Sequence, residues 1–499
     1  MARQTCAQDM RVFIILQLLL LGWPTASMAQ RPVPPEPAPG QVAPRIQDPN
    51  RAPESDRQTP PPDQSANPDE DQNIANEYTG PAILSRGFSA TRPTVLQAIR
   101  FRPFVGIEGI YDTGLTGVLL NKEGQVQSIN SFGVEAEFGI SGRKLFKHDV
   151  LGLNYRGTIF HYTPNSFYDG SNHILDLDFA HRATKHLTVN LKESAGVYSN
   201  NNALLNSIGL SDASIAGTDY VVTPNTQAFD NRVIFASSQV DAVYQKSARL
   251  SFNLGGGGFI VRRRSSSLYG VAGYQARGDG SYRVTKKTTV GVYYAFSHYD
   301  FTKSFGGSDV HTVGINYAIA LNRTLELRLR VGGSRVETLG IITVQIDPVI
   351  AAILGQSFGA QTIYRVNYIP DFSGQFIETF KRGSAGLEYT KGVTPGNGLY
   401  LTSELDSASV RAEYTGIRRY AVAVGAGRDS LTSLGVTLGN YVSYYVRGGV
   451  VRNLAKSVQG DVHLEFRRFT VGNGEFARDQ VRVSLGFTFS PSERPLSVW

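Results

Sequence analysis

Leu325-Glu-Leu-Arg-Leu-Arg-Val331 decides the fold: every odd position is apolar and every even one charged. Successive side chains of an extended strand point to opposite faces, so this run has one apolar and one ionic face. The same period of two recurs on either side. It appears in Phe132-Gly-Val-Glu-Ala-Glu-Phe138, Leu175-Asp-Leu-Asp-Phe179 and Leu187-Thr-Val-Asn-Leu191, and again in Val458–Phe466 and Val481–Phe489. In a soluble sandwich the apolar faces would meet in a core. In a transmembrane barrel they face lipid, and the polar faces line a lumen.

The turns separate these two cases. Short basic segments recur about every 37 residues, at 142–148, 182–186, 245–249, 285–287, 322–324, 381–383, 417–419 and 453–456. Two strands of about 11–14 residues, one short turn and one modest loop fill that period. Two intervals are longer and hold insertions, at 199–229 and 337–366. Eight short turns imply nine loops on the other side. The expectation is an all-β, antiparallel, up-and-down transmembrane barrel of about 18 strands (16–18) over residues 100–490, with both ends on the short-turn side. Val349–Leu354, after Pro348, reads as a short helix, and one insertion either folds inward as a constriction or packs on its neighbours as an outer cap.

Composition agrees. Charged residues are 18% of the chain, against about 25% in an ordinary soluble domain. The 52 glycines, 24 tyrosines and 26 phenylalanines suit tight turns, crowded lumen positions and interfacial girdles. The mean hydropathy is −0.18, and one long apolar run, Val12–Leu21, is too short to span a bilayer. Residues 1–29 read as a signal peptide: Arg3 and Arg11, then that apolar run, then Ser27-Met28-Ala29 before Gln30. Cys6, the single cysteine, falls within it. Residues 30–80 carry 12 of the 23 prolines and read as a disordered periplasmic linker. A periplasmic partner for this stretch is the alternative to a plain spacer. Residues 81–99 are a lead-in, and 491–499 a periplasmic tail. The net charge of +7 is too small to argue for nucleic acid in an exported protein.

Arg482, Phe487 and Phe489 in the last strand look like the C-terminal signature that barrel assembly machinery recognises in outer-membrane proteins. Ser484 stands where that signature has glycine, and Gly486 follows two residues later. Together with the signal peptide and the one-sided turns, the chain resembles porin-like outer-membrane β-barrel proteins. The resemblance implies outer-membrane lipid, lipopolysaccharide and the assembly machinery as partners. Arg262-Arg-Arg264, read as an outer loop, is a candidate for lipopolysaccharide phosphates.

No catalytic, metal or cofactor motif occurs. His161, Ser166, Asp169 and His173 fall near one outer loop, where a rim hydrolase would carry its residues, but loop polarity accounts for them. Alternation turns a set of charged side chains inward as candidate lumen-lining residues. They are Glu108, Glu135, Glu137, Arg156, Asp176, Asp178, Lys192, Asp241, Glu326, Arg328, Arg330, Arg411, Glu413, Asp461, His463, Glu465, Arg467 and Arg482. On the lipid face a mid-bilayer arginine or lysine would cost about 2–4 kcal/mol. The function expected is passive diffusion of small hydrophilic solutes. An export barrel, for polysaccharide for example, and a structural or adhesive barrel with a closed lumen are the alternatives. N-terminal sequencing of the protein from outer membranes is expected to start at Gln30; a chain beginning at Met1 contradicts the cleavage reading.

Overall fold

The computed structural model describes residues 101–120, 126–163, 169–198, 232–264, 268–345, 357–435, 440–472 and 476–491. The chain divides into units 1–69 and 70–499, and every described residue belongs to the second. The signal peptide, the proline-rich linker, the lead-in and the 199–229 insertion lie outside the described residues.

Eighteen strands run in chain order. The first nine are β1 (Arg102–Leu120), β2 (Val126–Leu145), β3 (Asp149–Thr163), β4 (Gly170–Arg182), β5 (Leu187–Tyr198), β6 (Val233–Gln245), β7 (Leu250–Arg263), β8 (Gly270–Arg283) and β9 (Thr288–Thr302). The rest are β10 (Gly307–Ala320), β11 (Leu325–Gln345), β12 (Phe358–Phe380), β13 (Gly383–Thr394), β14 (Ser403–Tyr414), β15 (Tyr420–Ser433), β16 (Asn440–Asn453), β17 (Val458–Val471) and β18 (Phe476–Phe489). Each pairs antiparallel with the next, and β18 returns to β1 through Val105↔Phe489 to Thr113↔Val481. The sheet is therefore a closed barrel without an edge, the form of sheet that lipid tolerates.

Local chemistry sets the short turns. Thr184, Ser247 and Asn322 each use a side-chain oxygen to accept backbone N–H groups two or three residues on, which closes the chain with no extra length. The strands between them keep the period of two. Phe132, Leu254 and Val313 are 68%, 68% and 63% exposed, whereas Glu137, on the opposite face of β2 from Phe132, is 3% exposed. Apolar side chains thus cover the exterior. Tyr244, Tyr282 and Tyr414 mark its short-turn end, and Tyr274, Tyr368 and Tyr444 lie towards the long-loop end, where amphipathic rings suit the headgroup region.

One expected insertion is corrected. Residues 337–345 and 358–366 are a strand extension, paired from Glu337↔Val366 to Gln345↔Phe358. Pro370 explains why this hairpin stands apart from β13. It lacks an N–H, and it lies just beyond Phe372↔Lys391, the last β12–β13 pair. The expected helix at 349–354 lies outside the described residues. Val313→Arg, which puts a guanidinium on the exterior of β10, is expected to lower folding stability in bilayers by about 2–4 kcal/mol. Denaturant unfolding in lipid vesicles measures this, and an unchanged midpoint contradicts the assignment of the lipid face.

Candidate functional site

Many of the charged residues singled out by alternation meet across neighbouring strands. Arg482 Nη2 donates to Glu135 Oε2 at 2.9 Å, and Arg156 Nε to Glu137 Oε1 at 2.9 Å. Arg277 Nε and Nη2 hold Asp241 Oδ1 at 3.0 and 2.5 Å, and Arg328 Nε donates to Glu326. Ser194 and Asn154 donate to Asp176, while Asp178 stands in register with Lys192. Arg467 Nε reaches Ser443 Oγ at 3.2 Å, and His463 Nε2 lies 3.4 Å from Asp461 Oδ2. Glu465 is in register with both Arg482 and Arg447, and Arg447 is separated from Arg411 by Gly425 alone. Glu413, two residues on from Arg411, is in register with Ser384, and Glu108 is in register with Glu135 and Gly486.

Glycines let these groups reach across strands. Tyr293, Gly314, Gly332 and Asp371 are in register across β9–β12. A side chain at either glycine would stand 2.5 Å from the Tyr293 hydroxyl, so both positions must stay bare. The tyrosine lies over them and donates to Asp371 Oδ2 at 2.5 Å, bridging three inter-strand spacings, about 14 Å of wall. Arg330 completes the unit: Nε donates to the same oxygen at 2.9 Å, and its guanidinium sits 4.0 Å from the Tyr293 ring centroid. Gly255, within the Gly255–Gly258 run, does the same for Asp241 and Arg277, which are in register on either side of it. A Cβ there would land on Asp241 Oδ1. Tyr293, Asp371 and Arg277 were not among the expected lumen residues. Tyr293 was hidden because tyrosine reads as girdle, and Asp371 because it follows a proline.

At the long-loop end the interior is apolar and bridged. Val233, Phe259, Val261, Tyr299, Val310 and Val336 belong to one buried cluster running from β4 to β13, and Leu401 packs against it. Leu401 belongs to the loop 395–402, which joins β13 to β14. That loop touches strands far around the wall. Thr402 Oγ1 lies 2.5 Å from Ser308 Oγ at the start of β10, and Tyr269 N donates to Gly398 O. On its other side Tyr400 packs with Leu431, Tyr441 and Phe469 of β15–β17. Burial raises the Tyr400 hydroxyl above the ordinary tyrosine range, against a hydrogen bond with the Gly472 backbone. One short loop that meets β7–β10 on one side and β15–β17 on the other must cross the mouth. Gly396 and Gly398, with φ of +80° and +91°, supply the left-handed turns it needs. The long insertions at 199–229 and 337–366 each read as an inward constriction or an outer cap; among the described residues, the segment that reaches across is this eight-residue loop.

Two rim expectations resolve differently. Arg263 is 8% exposed and donates Nε to Tyr269 O, so the run 262–264 is not a uniformly outward basic patch. His161 Nδ1 pairs with Asp169 Oδ2 at 2.6 Å, and His173 Nδ1 meets the Tyr155 hydroxyl at 3.1 Å. Burial opposes the Asp169 charge, but the Tyr162 N–H and His161 outweigh it and hold the carboxyl below its usual range. Ser166 lies outside the described residues.

A closed 18-strand wall, apolar outside and ionic within, has the form of a transmembrane β-barrel. Among solved structures the chain is similar to OccK2 (OpdF) of Pseudomonas aeruginosa, at 11% identity and a TM-score of 0.39, over 79% of this chain and 100% of that one. It is also similar to a BenF-like porin from Pseudomonas fluorescens Pf-5 (12%, TM-score 0.39, 78% and 98%) and to Acinetobacter baumannii OccAB3 (11%, TM-score 0.37, 78% and 99%). No family model and no curated protein matches the chain. At these values the class rests on this chain's own wall. Gly332→Val, which pushes Tyr293 off Asp371, is expected to cost about 1–3 kcal/mol of stability, and Tyr293→Phe about 1 kcal/mol. Denaturant unfolding of the single and double variants measures this. Full additivity of the two would show that the glycine does not serve the tyrosine.

Proposed function

We propose that the protein is an outer-membrane channel through which small hydrophilic solutes diffuse, with the loop 395–402 narrowing its outer mouth. The supporting observation is the interior face of the closed wall, which carries both signs of charge from β1 round to β18. Eighteen strands enclose more space than their side chains fill, and charges along a wet lumen bias which ions enter. The eighteen charged positions expected to face inward are, in this reading, the selectivity surface. Short turns lie in the periplasm and long loops outside. The chain reaches this place through a cleaved signal peptide, the assembly machinery reads the β18 residues Arg482, Gly486, Phe487 and Phe489, and lipopolysaccharide surrounds the exterior. Its role is that of a conduit and not a catalyst.

Planar-bilayer recording of the purified protein is expected to show stepwise conductance. Replacing residues 396–401 by a shorter Gly-Ser link is expected to raise the step size. Absence of any conductance in both forms overturns the channel reading. An unchanged step in the loop variant removes the constriction from it.

A further inference from the structure

Glu108 of β1 and Asp461 of β17 flank Gly486 of β18 in direct register. Their backbones are two inter-strand spacings apart, about 10 Å. Glycine leaves the space between them open, and both side chains lean into it. A Cβ added at Gly486 would overlap Glu108 Cγ and stand 3.2 Å from Asp461 Oδ2. Two more carboxylates neighbour Glu108: Glu135, in register with it, and Glu137, two residues further along β2. These two are neutralised at 2.9 Å by Arg482 and Arg156. Among the described residues, no arginine forms such an ion pair with Glu108 or Asp461. Asp461 is 8% exposed, and its Oδ2 is buried without a hydrogen bond. The nearest cation to it is the His463 ring, at 3.4 Å, which is charged only when protonated.

Two carboxylates held over one glycine, one of them buried with an unmet acceptor, are incomplete without a donor. No group of three or more His, Cys, Asp or Glu among the described residues is arranged to hold a metal ion. A primary ammonium suits the place better. Its three diverging N–H donors can bridge two carboxylates with charge-assisted bonds of about 2.7–2.9 Å. We propose that Glu108 and Asp461, separated by Gly486, form a station in the lumen wall that binds the ammonium group of a small cationic solute. The station lies near the short-turn end, at the opposite end of the lumen from the 395–402 loop. It rests on the channel reading for its use, since a solute must enter the lumen to meet it, but its occupancy can be measured without transport.

The test is calorimetric titration of butylammonium chloride into the folded full-length barrel in detergent at mildly alkaline pH. The wild type is expected to show saturable binding. Glu108→Gln and Asp461→Asn, each alone, are expected to weaken it at least about tenfold. Gly486→Ala keeps both carboxylates but fills the gap, and is expected to weaken binding likewise. Glu193→Gln removes a carboxylate from the other face of the wall, where Glu193 accepts from Ser238, and is expected to leave affinity unchanged. Heat-modifiable gel mobility establishes that each barrel is folded, and either carboxylate variant suffices if the other fails to fold. No saturable heat with the wild type, or equal affinity across the four variants, overturns the proposal. A barrel that binds butylammonium in this pattern but passes no current overturns the channel reading and leaves the station standing.

Discussion

Lipid offers no partner to a backbone N–H or C=O, and the rest of the structure depends on that constraint. It forces the last strand back onto the first, so β18 closes on β1 through nine consecutive register pairs. Closure then fixes an inside and an outside. Because side chains alternate, each register choice commits a whole strand, and a slip of one residue would turn every arginine of Leu325–Val331 towards lipid. The sequence pattern and the closed wall are two expressions of one requirement.

Within that wall the main difficulty is crowding. Long charged side chains project from neighbouring strands about 4.8 Å apart, and they need room to lie down. Glycines provide it at defined register positions: Gly314 and Gly332 beneath Tyr293, Gly255 beneath Asp241, Gly486 between Glu108 and Asp461. The glycine richness of the chain is therefore not only a matter of turns. It also cuts channels into the inner surface, along which ionic groups reach partners two or three strands away.

The architecture was legible from the sequence because its signals are local and repeated. Leu325–Val331 states the period, and turns such as Arg182–His186 state the strand spacing. What was not legible depends on distance around the wall. The 395–402 loop looks like any other short connection, and nothing in Pro395-Gly-Asn-Gly-Leu-Tyr400 says that it crosses a mouth to meet Ser308. The segment 337–366 misled for the opposite reason. Its length suggested an insertion, whereas its β-branched residues simply continue β11 and β12 beyond their neighbours. Tyr293 could not be assigned either, because its partner Asp371 lies 78 residues away. Only the register of four strands places them together.

The loop that spans the mouth also has a mechanical meaning. Through Thr402 and Gly398 it is tied to β10 and to the β7–β8 connection, and through Tyr400 it is seated on β15–β17. Those anchors lie on well-separated arcs of a ring that could otherwise flatten. A tie across a hoop resists ovalisation along its own line and leaves the perpendicular direction softer. The outer rim should thus be stiff along one diameter and compliant along the other, and pressure from the surrounding bilayer would change the shape of the opening before its perimeter.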